Sequence, residues 1–203
     1  MVIVVASALL ARNRWPDQRE LSRKIVHIGT GAVIPMAWWF AIPAVIAIPF
    51  AGVVTLATAI NQHWLLIPAV EDVDRNSYGT TAYGLAITTL LVMYWPYQPE
   101  AVCAGVLVMA CGDGLAGLIG RAVTSPRWTV AGQTKSLAGT ATMLTVSFGV
   151  LLALTITDGS GAKGTGALLL ATVATGLEQI SPAGIDNLSV PLAVGFLWAT
   201  TIH

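Results

Sequence analysis

The sequence has very little charge. Only 10% of its 203 residues are charged, whereas 55% are hydrophobic. An ordinary soluble domain carries about 25% charged residues, so this composition cannot cover the surface of a soluble fold. The formal net charge is zero, and without a basic excess nothing indicates nucleic-acid binding. The composition therefore predicts an integral membrane protein.

Cysteine is also scarce. Cys103 and Cys111 lie in one apolar segment and are the two cysteines of the chain. Eight residues of helix separate them by about 12 Å. A disulfide needs Cα atoms within about 7 Å of each other, so these two cysteines cannot form a bridge within that helix.

Long apolar runs, by contrast, are abundant. Several approach the roughly 20 residues that cross a bilayer, and they predict an all-α fold, a polytopic bundle of about seven to eight transmembrane helices. No change in composition divides the chain, so residues 1–203 are predicted to form a single membrane domain. The apolar runs cover residues 1–11, 28–41, 43–60, 79–95, 101–120, 137–157, 164–178 and 188–203.

Basic residues are unevenly distributed between these runs. Suppose that residues 28–60 form a helical hairpin and that the polar segment 12–27 lies on the inner side of the membrane. Every Lys and Arg except Lys163 then falls in a polar segment on that side. This distribution follows the positive-inside rule. The polar clusters fall on the same side, so the functional site is expected on the cytoplasmic-type face.

The stretch CGDGLAGLIGR, residues 111–121, places a carboxylate inside an apolar run. A charged group at membrane depth costs at least about 2.5 kcal/mol and indicates a functional site by default. Gly117 and Gly120 share a helix face with Asp113 and allow a helix or a ligand to approach closely. The alternative is that the glycines serve helix packing alone, with Asp113 paired internally.

Cationic residues flank the apolar runs. Arg23, Lys24 and His27 share one stripe of an amphipathic helix predicted over residues 19–27, a pattern that suits either a positive-inside anchor or a phosphate clamp. Lys135 lies in GQTKSLAGT, at the start of the next apolar run. Hydroxyls and free N–H groups at a helix start suit an anion, although a snorkelling lysine is the simpler alternative.

Two further polar stretches lie on the same predicted face. EDVDRNSYGTT, residues 71–81, includes Arg75, while Glu178, Asp186 and Asn187 precede the last apolar run. Each stretch is also consistent with a solvated loop and a helix cap.

Taken together, these clusters predict a chemistry. Carboxylates bind Mg²⁺ through one or two contacts, and basic groups neutralise phosphates during phosphoryl transfer, in which catalysis is mostly positioning. An apolar bundle admits a lipid whose reactive end meets a water-soluble donor at the interface. The sequence therefore predicts an enzyme that transfers a phosphoryl group from a nucleotide to a lipid.

Five stretches, together covering most of the chain from about residue 19 to 192, follow the order of motifs in one enzyme family: RKIVHIGTG (23–31), RNSYGTTAYGLA (75–86), GDGLAGLIGR (112–121), KSLAGT (135–140) and GLEQISPAGIDNLSVPL (176–192). Through them the chain resembles the membrane polyprenol kinases, and within these the phytol kinases of cyanobacteria and plastids. Dolichol kinases and phosphatidate cytidylyltransferases are more distant relatives. One departure is that members often have Glu-Gly where this chain has Ala138-Gly139.

The resemblance implies an integral membrane kinase. Its expected reaction transfers the terminal phosphate of CTP, or of another nucleoside triphosphate, to phytol or a similar prenyl alcohol, with Mg²⁺ as cofactor. Phytyl phosphate would then feed phytol salvage and tocopherol-type prenyl-lipid synthesis. The expected location is a plasma, inner or thylakoid membrane, with the prenyl alcohol, the nucleotide and membrane lipid as partners.

Roles for individual residues follow from the matched motifs and their placement. Asp113, Lys135 and Asp186 are the catalytic candidates, and Asp113 and Asp186 are expected to bind the metal. If the missing Glu of the Glu-Gly pair binds metal in relatives, its role here is vacant or falls to Glu178 or Asp186. His27, Glu178 and Asp186 are candidates for the base, and Asn187 accompanies Asp186. Phosphate contacts are expected from Arg23, Lys24, Arg75, Gly120, Arg121 and Gly139.

Two other functions are compatible with the same residues. In a cytidylyltransferase a lipid phosphate attacks the inner phosphorus of CTP, and related kinases act on dolichol or diacylglycerol. A small membrane transporter could use Asp113 as a proton or cation relay. The clustering of polar residues on one face argues against a transporter, because no cluster marks the opposite exit.

Overall fold

A computed structural model of the protein describes residues 2–15, 19–64, 78–157, 164–182 and 184–202. Their regular secondary structure is helical apart from one β-hairpin, so the predicted all-α class is confirmed except for that hairpin. The elements are α1 (Val2–Arg14), α2 (Arg19–Trp39), α3 (Ala44–Trp64), α4 (Gly79–Tyr94), α5 (Pro99–Leu107), a π-helical turn (Val108–Asp113), α6 (Gly114–Ala122), β1 (Arg127–Val130), β2 (Gln133–Ser136), α7 (Leu137–Thr157), α8 (Gly164–Ile180) and α9 (Asp186–Thr201).

Three helical spans of the described chain are long and apolar enough to cross a membrane. They are Ala44–Trp64, Pro99–Ala122 and Leu137–Ile156. The outer face of α3 exposes large apolar side chains, among them Val45, which is 78% exposed, and Leu56. Water would be a poor solvent for such a surface, so these helices indicate that the protein associates with a membrane.

The span Pro99–Ala122 is the central helix of the bundle. It consists of α5, the π-helical turn and α6 in direct succession, and α2, α4, α7 and α9 pack around it. Every residue from Ala101 to Val106 is buried. Most of these side chains are small, which lets the neighbouring helices approach closely.

The β-hairpin was not predicted, because the segment before α7 was interpreted as a simple break. β1 pairs with β2 in antiparallel register, with Arg127 opposite Ser136. Ala131 and Gly132 form the two-residue turn, and both have positive φ values of 48° and 77°, as the common two-residue hairpin turns require. Lys135 therefore lies on a strand, and α7 begins two residues later at Leu137.

A close backbone contact in the core joins α5 to α9. A Cβ atom added at Gly105 would lie 2.3 Å from the backbone oxygen of Pro191. Backbone oxygen cannot move aside as a flexible side chain can, so only glycine fits at this crossing.

We expect Gly105→Ala to lower the free energy of unfolding by about 1–3 kcal/mol, because the added methyl overpacks this contact. Gly149→Ala in α7 is the matched control, since no atom lies within 4 Å of the Cβ it would add. Alanine in a helix interior should be neutral there, or stabilising by up to about 1 kcal/mol. Thermal unfolding in detergent measures both variants, and equal effects would contradict the assigned contact.

Candidate functional site

A cavity of about 450 Å³ lies where α2, α6, the hairpin, α7, α8 and the start of α9 meet. The arrangement brings together stretches that are far apart in the sequence. His27 does not line this cavity, and Arg75 lies outside the described residues. The other residues predicted from the sequence all line it: Arg23, Lys24, Asp113, Gly120, Arg121, Lys135, Gly139, Glu178, Asp186 and Asn187.

Three carboxylates converge in the cavity wall. Asp113 ends the π-helical turn, Glu178 lies in the last turn of α8, and Asp186 is the first residue of α9. One oxygen from each lies within 4.8 Å of those of the other two. We call these residues the carboxylate triad. Oxygen ligands at this spacing fit a hard divalent cation such as Mg²⁺.

Lysines neutralise two members of the triad. Lys24 Nζ donates to Asp113 Oδ2 at 2.5 Å and to the Asp113 backbone oxygen at 3.1 Å. Lys135 Nζ donates to Glu178 Oε1 and, at 2.7 Å, to the Glu178 backbone oxygen. Both lysines are buried, so each ion pair is held within the protein. Their expected contact with phosphate stays a prediction.

Asp186 is held by an amide instead of a lysine. Its Oδ1 accepts hydrogen bonds from the Asn187 backbone N–H at 3.0 Å and from Asn187 Nδ2 at 3.2 Å. The carboxylates of Asp113 and Glu178 lie beside it in the triad, so two further negative charges face Asp186. With one more carboxylate than lysine, the triad concentrates negative charge, which favours a bound cation.

The π-helical turn directly precedes the site. It spans Val108–Asp113, within the central helix, and ends on the buried aspartate. Such turns insert one residue into an α-helix and often occur at functional sites. They have no clear sequence signature, so the turn was missed in the sequence analysis.

The glycines around Asp113 make room for two neighbouring helices. A Cβ atom at Gly117 would lie 2.8 Å from Lys24 Cε, and one at Gly120 would lie 3.2 Å from Gly139 Cα. Gly117 therefore admits the lysine that pairs with Asp113, while Gly120 and Gly139 bring α6 against α7. These glycines pack helices and also line the cavity, and the close approach of a ligand to them stays a prediction.

His27 lies against the central helix. Its Nε2 is 3.2 Å from the Met109 backbone oxygen and 3.7 Å from Asp113 Oδ2. Its ring packs on that of Tyr83, with 4.3 Å between centroids. The histidine thus contacts the same carboxylate as Lys24 without lining the cavity.

Arginines also line the cavity. Arg23 and Arg121 were predicted, whereas Arg127 in β1 was not. Arg127 Nη2 donates to the Gly120 backbone oxygen at 3.4 Å. The one available sequence signal for Arg127 was that it shares a polar segment with Arg121 and Lys135. Gln179 also lines the cavity and was missed, although it directly follows Glu178 in the sequence.

Comparison with known proteins identifies several relatives. The chain is 39% identical to the phytol kinase of Synechocystis sp., over 97% of this chain and 86% of that protein. It is 31% identical to the chloroplastic phytol kinase 1 of Arabidopsis thaliana, over 68% of this chain and 48% of that protein. The chloroplastic farnesol kinase of the same plant is 28% identical over 64% of this chain and 46% of that protein. No family model and no solved structure matches the chain.

We expect Lys24→Met to lower the free energy of unfolding by about 3 kcal/mol, because it leaves the Asp113 carboxylate buried without its cation. Adding Asp113→Asn should recover part of this loss. The double variant should therefore lose less free energy of unfolding than the sum of the losses of the two single variants. Arg14→Met, which removes a charge from exposed α1 surface, is the control and should change stability by at most about 0.5 kcal/mol. Thermal unfolding in detergent compares the four variants with the wild type, and strict additivity would show that Lys24 and Asp113 do not interact.

Proposed function

This chain belongs to the phytol kinase family, and from that membership we propose that it transfers the terminal phosphate of a nucleoside triphosphate to the hydroxyl of a prenyl alcohol. Phytol is the proposed acceptor and CTP the proposed donor. The observation that carries the proposal is the carboxylate triad in the wall of a cavity that basic residues also line. Phosphoryl transfer needs both kinds of group in one place.

We propose that Asp113 and Asp186 bind Mg²⁺, with Glu178 as a third ligand. Glu178 would then take the role of the Glu that relatives often have where this chain has Ala138. Once bound, Mg²⁺ supplies positive charge that offsets the phosphates. Lys24 and Lys135 hold Asp113 and Glu178 in position for this purpose.

The arginines are the proposed phosphate contacts. Lys24 and Lys135 already donate to carboxylates, so much of their charge is offset within the triad. Arg23, Arg121 and Arg127 line the cavity as well, and a guanidinium matches phosphate oxygens with two parallel hydrogen bonds. They are therefore the proposed contacts with the triphosphate.

We propose that Asp186 accepts the proton of the alcohol, through the carboxylate oxygen that does not bind Mg²⁺. Among the described residues it receives hydrogen bonds from Asn187 and none from a lysine. Glu178 is a weaker candidate because Lys135 neutralises it, and His27 does not line the cavity. A base must come within hydrogen-bond reach of the proton that it removes.

The membrane arrangement is proposed on the same basis. Besides the three long apolar spans, shorter helices such as α4 are apolar, and with them the chain would cross the membrane about seven to eight times as one domain. The cavity would open at the cytoplasmic-type face of a plasma, inner or thylakoid membrane. The basic residues that line it support this orientation, because such residues gather on the inner side.

Purified protein supplied with phytol, Mg²⁺ and CTP labelled at the terminal phosphate is expected to move the label into lipid. Asp113→Asn should lower the rate at least about 100-fold, since even groups that only support a metal ligand cost 10–100-fold when removed. Glu100→Gln is the matched control. It removes a carboxylate in the first turn of α5, outside the cavity, and should keep full activity.

Two outcomes would overturn the proposal. Lipid that stays unlabelled shows that the protein is not a prenyl alcohol kinase. A parallel reaction uses CTP labelled at its inner phosphate. If that label enters the lipid, the protein is a cytidylyltransferase. Parallel reactions with farnesol, geranylgeraniol, dolichol and diacylglycerol, and with other nucleoside triphosphates, determine the acceptor and the donor.

A further inference from the structure

We propose that Gln179 is a positioning residue that holds Glu178 in the carboxylate triad. Gln179 follows Glu178 in α8 and lines the same cavity. Its Nε2 donates to Glu178 Oε2 at 2.7 Å. The inference rests on the proposed function for one point, namely that the triad binds a metal ion. The hydrogen bonds themselves are features of the fold.

The orientation of the Gln179 amide follows from its neighbours. Thr140 Oγ1 donates to the Ser136 backbone oxygen at 3.0 Å, so it can accept the second hydrogen bond from Gln179 Nε2 at 2.9 Å. An ionised carboxylate accepts and cannot donate. Two acceptors therefore face the same end of the amide, and that end must be the NH₂ group.

The other end of the amide is unsatisfied in this orientation. Gln179 Oε1 is buried and has no hydrogen-bond donor among the described residues. Leaving a buried carbonyl oxygen without a donor is unfavourable. The amide keeps this orientation because the carboxylate of Glu178 can only accept, and turning the amide over would place two oxygens 2.7 Å apart.

The result is a carboxylate that is held from two sides. Lys135 of β2 donates to Glu178 Oε1, and Gln179 donates to Oε2. Through Thr140, near the start of α7, Gln179 is itself fixed to a second helix. The rotation of the Glu178 carboxylate, and so the direction of its lone pairs toward Asp113 and Asp186, therefore depends on Gln179.

Binding of Mn²⁺, measured by electron paramagnetic resonance on nucleotide-free protein in detergent, tests this role without any turnover. Gln179→Met keeps the side-chain volume but removes the donor, and we expect it to weaken Mn²⁺ binding about 10–100-fold, as loss of a group that orients a metal ligand does. Thr140→Val should produce a smaller loss and Thr140→Ser should restore most of the affinity. In the Gln179→Met background Thr140→Val should add nothing, because Thr140 acts through the amide.

Thr172→Val is the control on the same helix. Its hydroxyl bonds only the backbone oxygen of Leu168 and is exposed, so this variant should bind Mn²⁺ as the wild type does. Unchanged Mn²⁺ affinity in both folded variants, Gln179→Met and Thr140→Val, would overturn the role of Gln179 while leaving the proposed function intact. Wild-type protein that binds Mn²⁺ but transfers no phosphate would instead overturn the proposed function alone.

Discussion

The ion pair between Lys24 and Asp113 is the interaction on which the rest of the site depends. A lone carboxylate inside an apolar bundle is costly, and the lysine of α2 offsets that cost with bonds to both the side chain and the backbone of Asp113. Gly117 admits the lysine stem, since any Cβ there would collide with it. The pair thus fixes α2 against the central helix and sets the position of the triad.

The balance of charge in the cavity explains why the site suits phosphoryl transfer. Two buried lysines each pair with one carboxylate, and Asp186 is left with an amide partner. Ion pairs buried in this way contribute little to stability, so their value lies in holding oxygen atoms in one geometry. Arginines that line the same cavity add positive charge to it.

Lys135 illustrates what local sequence patterns predict and what they miss. The sequence predicted a cation at the start of an apolar helix beside hydroxyl groups, and the cation does line the cavity there. It lies on a four-residue strand instead, and its partner is Glu178 from α8. Strands this short have no alternating apolar pattern to reveal them, and the π-helical turn before Asp113 has no compositional signal either.

The sequence by itself determined the all-helical class, the association with a membrane and the chemical types in the site, because hydropathy and the rarity of charge are properties of local stretches. Only the tertiary structure decided which groups meet. Lys24 and Lys135 could equally have paired with a loop carboxylate or with none, and His27 could have lined the cavity. Those pairings depend on close contacts between helices that are distant in the chain. Glycines such as Gly117 and Gly120 let side chains and backbones approach at these contacts. No local sequence pattern predicts which helices will meet.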